Sequence, residues 1–380
     1  MTDGFTVASD NRLNLALRRA AAYAGYAIET IATLLPRLRR AEFSQQVLVD
    51  GLIVKCHRAL PEDSAFAAAW EELYRRAPDA TPFQSPAWQR SLLETAHAMR
   101  RLRVFTVYDR HRLIAVLPLE LRRGNILRTS GALLTDYLDP LIDPEYSALC
   151  WPAMLRGIKQ LAPGRSLVLE NILAESFSQA QLAACAAAGF NFSDSAQDAV
   201  SRIALPKTWD DYLASLDRHE RKELKRKLNK AEQKGNARLE ICNDPAAINH
   251  DMNAMFDLIQ DSGGCKARKA KWLFPRHFAS AAPTLAASGG LVVYKLFIED
   301  RHAASLIALP TRRGQILWNT AFDISMKSWS PGIVLFAMLI RRAIEHGETN
   351  FDLLRGQYDY KYRLGAADHP LHRLTFRPAA

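Results

Sequence analysis

Two stretches about 190 residues apart repeat one order of strands and turns. The first, after Arg103, reads V-F-T-V-Y, a D-R-H turn, L-I-A-V-L-P-L-E-L and an R-R-G turn. The second, from Leu291, reads L-V-V-Y-K-L-F-I-E, a D-R-H turn, A-A-S-L-I-A-L-P and an R-R-G turn, before an apolar segment. Alternating apolar positions between polar turns predict antiparallel hairpins. A repeat at this spacing predicts two similar domains in tandem.

The chain is long enough for two domains. Its 380 residues exceed the ~250–300 at which single hydrophobic cores stop growing. Helical patterns alternate with the strands, which predicts a layered α/β (α+β) fold. Pro206 follows a predicted strand and marks the boundary. We predict an N-terminal extension (1–45), an N-terminal domain (46–205) and a C-terminal domain (206–380).

The segment from Trp329 to Gly365 carries the clearest local signals. Ser330 is a good N-cap, Pro331 suits the first helical position, and Gly347 suits a left-handed stop. The predicted helix is apolar on every side, which indicates burial in a layered core. After Gly347, F-D-L-L predicts a short strand, and a loop rich in polar groups follows.

The start of that helix is a candidate anion site. Free amides at a helix N-terminus, together with the helix dipole, favour a phosphate. Pro331 has no amide hydrogen, so the candidate binding groups are the amides of Gly332 and Ile333 and the hydroxyl of Ser330. The structural alternative is a capped core helix with no ligand.

Several motifs in this order resemble one known family. They are S-P-G before an apolar helix, F-D-L-L-R-G with Y-K-Y-R-L-G, T-P-F-Q-S-P-A-W at Thr81–Trp88, and L-I-A-V-L-P-L at Leu113–Leu119. They are similar to the CelD/BcsL-type acyltransferases of the GNAT superfamily, over about residues 60 to 370. The resemblance implies two GNAT-like folds in tandem, each a mixed, mostly antiparallel sheet flanked by helices, as in Fem-type transferases. It also implies an acyl-CoA or similar thioester bound to the C-terminal one.

The donor loop departs from the general GNAT pattern. S-W-S-P-G has fewer glycines and basic residues than that pattern, which leaves acyl carrier protein and aminoacyl-tRNA as alternative donors. No G-x-S-x-G motif is present, and no cysteine has an evident base, so direct attack on the thioester is favoured over a covalent acyl-enzyme.

Acyl transfer to an amine needs a proton acceptor and a proton for the leaving thiolate. Asp352, in the short strand, is a candidate carboxylate that points into a cleft. Tyr360 is the candidate proton donor, because the resemblance implies a tyrosine in that role. His302 is a candidate by residue type. The structural alternatives are an Asp352 ion pair with Arg355 or Lys361, a packing role for Tyr360, and a surface turn for His302.

Three basic residues follow the strand. Arg355, Lys361 and Arg363 are candidates for binding donor phosphates or an acceptor carboxylate. Alternatively, some of them make structural ion pairs. Tyr358, Tyr360 and Tyr362 alternate along the chain, so they would share one face if this segment were extended.

The net charge of +10 and pI of about 9.4 favour an anionic partner. Residues Arg218 to Arg238 carry nine Lys or Arg against three Glu, with a narrow apolar stripe. This run is a solvated helix face, or else it forms a wall of the acceptor or donor site or contacts phosphates or acidic lipid. Nucleic acid is disfavoured because the run has no aromatic residues. An amphipathic segment, Leu13–Leu35, has basic ends and could lie on an anionic membrane. Packing against the protein body is its alternative.

The five cysteines are scattered, so neither a metal site nor a disulfide framework is indicated, and we expect a cytoplasmic protein, peripheral on the inner membrane if the N-terminal helix binds lipid. We predict a bacterial N-acyltransferase with no prosthetic group that moves an acyl group from acyl-CoA or acyl carrier protein to an amine, in envelope lipid (long-chain or sphingolipid-like) or exopolysaccharide metabolism. The alternatives are a non-catalytic GNAT module that binds polysaccharide or lipid machinery, and a Fem-like transferase that uses aminoacyl-tRNA.

Overall fold

The structure is a computed structural model that describes residues 44–58, 60–61, 64–98, 101–131, 134–173, 188–261 and 264–379. The predicted amphipathic segment at 13–35 lies outside these ranges. So does most of the segment 178–188, where the alanine-rich sequence before Gly189 predicts a helix. The N-terminal extension of the predicted domain division therefore lies almost wholly outside the described residues.

The first half of the chain supplies eight described strands and three helices. The strands are β1 (Ser44–Val49), β2 (Leu52–His57), β3 (Leu102–Asp109), β4 (Arg112–Arg122), β5 (Ile126–Thr129), β6 (Leu141–Ile142), β7 (Ser166–Leu173) and β8 (Phe190–Ala204). The helices are α1 (Ser64–Arg76), α2 (Pro86–Ala98) and α3 (Ser147–Leu161).

The second half follows with six strands and six helices within the described ranges. The strands are β9 (Arg238–Cys242), β10 (Val292–Ile298), β11 (Arg301–Pro310), β12 (Gly314–Phe322), β13 (Asn350–Arg355) and β14 (Ala367–Pro378). The helices are α4 (Trp209–Ser215), α5 (Arg218–Lys234), α6 (Ile248–Asp261), α7 (Gly264–Ala287), α8 (Pro331–Glu345) and α9 (Asp359–Arg363). A 3-10 segment, Ile324–Trp329, precedes α8.

The repeat seen in the sequence is confirmed as a repeated supersecondary unit. In the first half, β3, β4 and β5 form an antiparallel meander, and β7 pairs parallel to β5 after the crossover through α3. In the second half, β10, β11 and β12 form the same meander, and β13 pairs parallel to β12 after the crossover through α8. The predicted fold class, two mixed and mostly antiparallel units flanked by helices, is confirmed.

The two units join into one sheet through exchanged strands. In the described chain the sheet order is β1-β2-β3-β4-β5-β7-β14-β8-β13-β12-β11-β10-β9, with β6 beside β4. β8 belongs to the first half in sequence but pairs with β13, and β14 from the end of the second half pairs with β7 and β8. The predicted domain boundary at Pro206 falls just after β8, and this division stays a prediction.

An apolar cluster also connects the two halves. Trp88 of α2 lies with its ring centroid 5.5 Å from that of Phe278 in α7 and 6.0 Å from that of Trp318 in β12. Phe83 and Tyr137 belong to the same buried cluster. The first half therefore packs against the face of the second-half sheet that α6 and α7 cover.

The mix of glycine and lysine at residues 263–272 predicts a mobile loop, and this prediction is wrong, because Gly264 begins α7, which runs to Ala287. The segment that carries the three tyrosines is not extended, because Asp359–Arg363 forms a short helix. Within the described residues, no helix is long and apolar enough to cross a membrane.

Candidate functional site

The parallel strands β12 and β13 separate part of the way along the sheet. Their ladder joins Gly314 to Asn350, Gln315 to Phe351 and Ile316 to Asp352. Beyond that point β12 continues to Phe322 and β13 to Arg355 without pairing to each other. We call the space between these two strand ends the β12–β13 gap. It opens toward the start of α8, because β12 leads into the 3-10 segment and then into that helix.

Both strands carry a bulge where the gap begins. On β12, Ile307 of β11 pairs with Asn319 and Ala308 with Leu317, so Trp318 is an extra residue. On β13, the register against β8 shifts between Asp352 and Arg355. A bulge leaves the extra residue unpaired and turns its backbone groups away from the ladder. On β12, Trp318 is therefore outside the β11 ladder, whereas on β13 the side chains of Asp352 and Lys361 bind the backbone groups of the bulge.

The start of α8 differs in detail from the predicted cap. Ser330 adopts a left-handed conformation with φ of 52°, and its hydroxyl makes no capping hydrogen bond. The prediction of a Ser330 side-chain cap is therefore wrong. The amide of Val334 donates to the Ser330 carbonyl at 3.1 Å, so the amides of Gly332 and Ile333 precede the first intrahelical bond. These two amides, with the positive end of the dipole, remain the anion-binding candidates.

Basic and apolar groups surround this helix start. The ammonium of Lys230 in α5 donates to the Ser328 carbonyl at 3.0 Å and lies 4.5 Å from the centre of the Trp329 ring. Phe322, the last residue of β12, and Ile324, the first residue of the 3-10 segment, are 43% and 47% exposed. The helix start is therefore electropositive and has apolar side chains at its rim.

Asp352 is buried at the beginning of the gap. Its Oδ2 accepts hydrogen bonds from the Tyr137 hydroxyl at 2.5 Å and from Nε of Arg202 at 3.0 Å. Its Oδ1 accepts from the amide of Leu354 at 2.8 Å. Burial raises the pKa of Asp352 above its ordinary value, and the Arg202 guanidinium opposes that rise. The carboxylate thus joins β13 to β8 and to the loop that holds Tyr137. It does not form the ion pair with Arg355 or Lys361 that was considered as its structural role.

Lys361 of α9 holds the bulged end of β13. Its side chain is 1% exposed, and its ammonium donates to the carbonyls of Leu353, Leu354 and Arg355 at 2.8, 2.8 and 3.0 Å. Burial lowers the pKa of Lys361 to about 8. Leu354 has a φ of 57°, a left-handed conformation that costs roughly 1–2 kcal/mol. The lysine therefore stabilises the strand end from inside, and its charge is not presented at the surface.

Tyr360 lies between α8 and the loop that follows β13. Its ring stacks on Phe336 of α8 at 5.4 Å and on Tyr358 at 6.1 Å. Burial raises the pKa of Tyr360 to about 12, which keeps the phenol protonated at neutral pH. Tyr358 is 60% exposed. The three tyrosines do not share one face of a strand, since their segment is helical.

The other predicted residues are more widely spread. Arg355 makes an ion pair with Asp136 and also contacts Asn171. Arg363 is 61% exposed and lies 3.8 Å from Glu220 of α5. His302 lies on β11, where its Nε2 is 2.6 Å from the Ser305 hydroxyl. β12 separates His302 from β13, so the structure does not bring it next to Asp352 and Tyr360, and its catalytic role stays a prediction.

The sequence reasoning missed the partners supplied by distant segments. Asp136 and Tyr137 occur in T-D-Y-L-D-P, which has no strand or helix periodicity. Arg202 is a basic residue between the buried residues Ser201 and Ile203 of β8, and such a residue usually has a buried partner. That signal indicates a buried acidic partner, but it does not identify Asp352.

The equivalent helix start in the first half is already occupied by charged side chains of the protein, and Arg76 pairs with Asp143 there. Asp143 and Glu145 lie just before α3, and Asp143 accepts a hydrogen bond from the Glu145 amide. Arg112 contacts both carboxylates. Acidic side chains at a helix N-terminus already satisfy the dipole and repel a second anion. Among the described residues, no group of three or more His, Cys, Asp or Glu is placed to hold a metal ion.

Comparison with known proteins places this geometry in a fold class. Residues 218–362 match the family model described as an acetyltransferase (GNAT) domain. FemX shares 11% identity, with a TM-score of 0.57 over 81% of this chain and 95% of that chain. The C-terminal domain of a protein assigned as a lysylphosphatidylglycerol synthetase from Agrobacterium fabrum shares 15% identity, with a TM-score of 0.51 over 80% and 91%. No curated protein matches the chain in sequence.

At such identities the structural likeness establishes the fold alone. The chain has a GNAT-type fold, and the family match covers the part that contains the β12–β13 gap and the start of α8. The narrower CelD/BcsL type stays a prediction.

Proposed function

We propose that the chain is an N-acyltransferase that moves an acyl group from a thioester donor, acyl-CoA or an acylated carrier protein, to an amine. The observation that carries this proposal is the β12–β13 gap opening onto the start of α8. The gap offers a slot for an extended arm, and the helix start offers amides for a phosphate. Both features lie inside the stretch that matches the GNAT domain model.

The donor would bind with its phosphate at the Gly332 and Ile333 amides and its thioester between the two strands. The Trp318 amide, which lies outside the β11 ladder, is our candidate donor to the thioester carbonyl oxygen, where negative charge develops. The acceptor amine attacks that carbonyl, so a C–N bond forms, the C–S bond breaks and the amine passes a proton to solvent water. Tyr360 donates a proton to the departing thiolate, consistent with its protonated state.

In this proposal Asp352 and most of the basic residues hold other groups of the site in place. Asp352 fixes the bulged end of β13 through Leu354 and Arg202, and Lys361 fixes the same end through three carbonyls. Arg355 joins this end to Asp136 of the first half. Arg363 is exposed enough to contact an anionic substrate directly. The Ser330 hydroxyl, which is not used as a cap, remains available to the donor.

We place the acceptor amine in envelope lipid or exopolysaccharide metabolism, the setting that the CelD/BcsL resemblance implies. The net charge of +10 supports an anionic partner or surface. A long-chain donor agrees with the apolar rim at Phe322 and Ile324.

The donor site is tested by binding. Acetyl-CoA, a long-chain acyl-CoA and an acylated carrier protein are titrated into the wild type and into Gly332→Trp. A Cβ atom added at Gly332 would lie 3.5 Å from Cδ1 of Phe322, so Gly332→Ala fits and is the matched control for folding. Binding of a thioester that Gly332→Trp abolishes and Gly332→Ala retains supports the proposal. A folded wild type that binds no thioester contradicts it.

Catalysis is tested separately with Tyr360→Phe. Loss of the hydroxyl removes the proposed proton donor but keeps the ring that stacks on Phe336. We expect turnover of the bound donor with an amine acceptor to fall by about 10²–10⁴-fold, with donor affinity unchanged. Unchanged turnover would remove Tyr360 from the mechanism, and donor binding without any turnover would favour a binding module.

A further inference from the structure

We propose that the exposed side of α5 is the docking surface for an acidic acyl carrier protein that delivers the donor thioester to the β12–β13 gap. This inference rests on the proposed function and adds the identity of the macromolecular partner. The surface consists of Arg218, Lys222 and Lys225, here called the α5 basic face, together with the apolar pair Phe322 and Ile324.

The position of α5 relative to the gap is the first argument. Near its N-terminal end, Glu220 lies 3.8 Å from Arg363 of α9, which follows β13. Near its C-terminal end, Lys230 donates to Ser328, in the segment that follows β12. The helix therefore extends from the exit of one strand of the gap to the exit of the other. A partner bound along α5 would hold a tethered thioester at the entrance.

The unbalanced charge of α5 is the second argument. The helix has eight lysines and arginines and three glutamates. Each glutamate already has a basic partner: Glu220 has Arg363, Glu223 has Arg226 and Glu232 has Arg341.

The members of the α5 basic face retain their charge for a partner. They are four and three residues apart, which places them on one side of the helix, and all three are exposed. In the part of the chain that the structure describes, none of them has a carboxylate within ion-pair distance. A row of unmatched cations favours a partner with a row of carboxylates.

The composition of the surface distinguishes among anionic partners. The apolar residues of α5, Leu224, Leu228 and Ala231, are buried against the protein, so the helix has no apolar face to insert into a bilayer. No aromatic residue lies on the helix to stack on nucleic-acid bases. A folded acidic protein needs neither feature, and the exposed side chains of Phe322 and Ile324, at the end of β12 and just after it, offer it apolar contacts near the gap.

The test measures binding of a purified carrier protein charged with a hexadecanoyl group, together with hexadecanoyl-CoA. The key variant is Lys222→Glu/Lys225→Glu, and Lys222→Gln/Lys225→Gln is a milder form. The matched control is Arg123→Glu/Arg377→Glu, which makes the same change in net charge at exposed positions of the first half and of β14. Circular dichroism confirms that each variant is folded.

We expect the charge-reversed variant to bind the acylated carrier about ten-fold or more weakly, the neutral variant to lie between, and the control to bind like the wild type. The affinity for hexadecanoyl-CoA should change by less than about two-fold. Carrier binding that ignores the charge reversal, or binding of hexadecanoyl-CoA without any carrier binding, would overturn the docking surface and leave the donor site standing.

Two further probes separate the other anionic partners. Phosphatidylglycerol vesicles and a single-stranded RNA are titrated into the same proteins. If either binds through Lys222 and Lys225 while the carrier does not bind, the surface serves that partner and the inference is wrong. If neither thioester binds the folded wild type, the proposed function itself fails, and the inference falls with it.

Discussion

Asp352 shows how a single residue can be predicted in part. Its place in a short strand between apolar neighbours indicated a special role for the carboxylate. Its main partners could not be predicted, because Tyr137 is 215 residues away and Arg202 is 150 residues away in the sequence. Local sequence patterns identify Asp352 as a candidate site residue, but its partners depend on which strands pair in the sheet.

His57 allows a pH-dependent prediction at the residue scale. Its ring is 7% exposed, lies 3.0 Å from the Thr106 hydroxyl, and has a pKa lowered to about 4 by burial. An unfolded histidine titrates near 6.5, so the unfolded chain binds the extra proton between pH 6.5 and 4. The contribution of neutral, buried His57 to the free energy of unfolding is therefore present above pH 6.5 and is lost as the pH falls toward 4.

We expect the free energy of unfolding to fall by about 3 kcal/mol over this window on account of His57. Urea unfolding at pH 7 and pH 4.5 measures the change. His57→Gln should reduce the difference between the two pH values, whereas His111→Gln, at an exposed turn, should leave it unchanged. An equal slope in all three proteins would contradict the prediction.

At the scale of elements, the two crossover helices show why one half has the candidate site. Both α3 and α8 follow a meander and lead into a parallel strand. α3 begins after Asp143 and Glu145, whereas α8 begins beside Lys230. The helix bounds and the Pro331 start were predictable from capping rules. The left-handed Ser330 was not, since a serine in that conformation depends on the preceding 3-10 segment.

Lys361 provides the prediction at this scale. It holds three carbonyls at the bulged end of β13, so Lys361→Met leaves those acceptors without their donor. We expect the free energy of unfolding to fall by about 1–3 kcal/mol. The affinity for the thioester should also fall, because the end of β13 that borders the gap is no longer held in place. Urea unfolding and donor titration measure the two effects.

The control for Lys361→Met is Arg363→Met on the same short helix. Its side chain is 61% exposed, and the stability should change by less than about 1 kcal/mol. A Lys361 variant with wild-type stability and wild-type donor binding would show that the buried lysine does not shape the gap.

For the whole molecule, the tandem repeat was predictable and the joining of its two copies was not. The D-R-H and R-R-G turns predict the hairpins, and the alternation of apolar residues predicts which face of each strand is buried. No local sequence pattern indicates that β8 and β14 pair with strands of the other half. The β8 residues pair with β13 and β14, which lie more than one hundred residues further along the chain, and such pairing is decided by the assembled sheet.

Because one sheet runs through both halves, we expect the stability of each half to depend on the other. Phe376 of β14 is fully buried in the core of the first half, although it is the last buried phenylalanine in the chain. Phe376→Ala should destabilise the protein by about 3–5 kcal/mol. Because β14 also pairs with β8, which pairs with β13, hydrogen exchange should accelerate in β10 and β11 as well as in β3 and β4.

Leu149→Ala is the control for this experiment, because Leu149 is 61% exposed in the first half. It should leave exchange unchanged in both halves. Faster exchange confined to β3 and β4 in the Phe376 variant would show that the two units unfold independently.

The central place of β14 also has a consequence for biosynthesis. The strand that joins β7 to β8 is translated after every other strand of the sheet. A ribosome-bound chain that has completed the first meander therefore exposes the free edge of β7, and exposed edges invite pairing with other chains. We expect the nascent protein to depend on holding chaperones until β14 emerges, and to reach its final form only after translation has passed that strand.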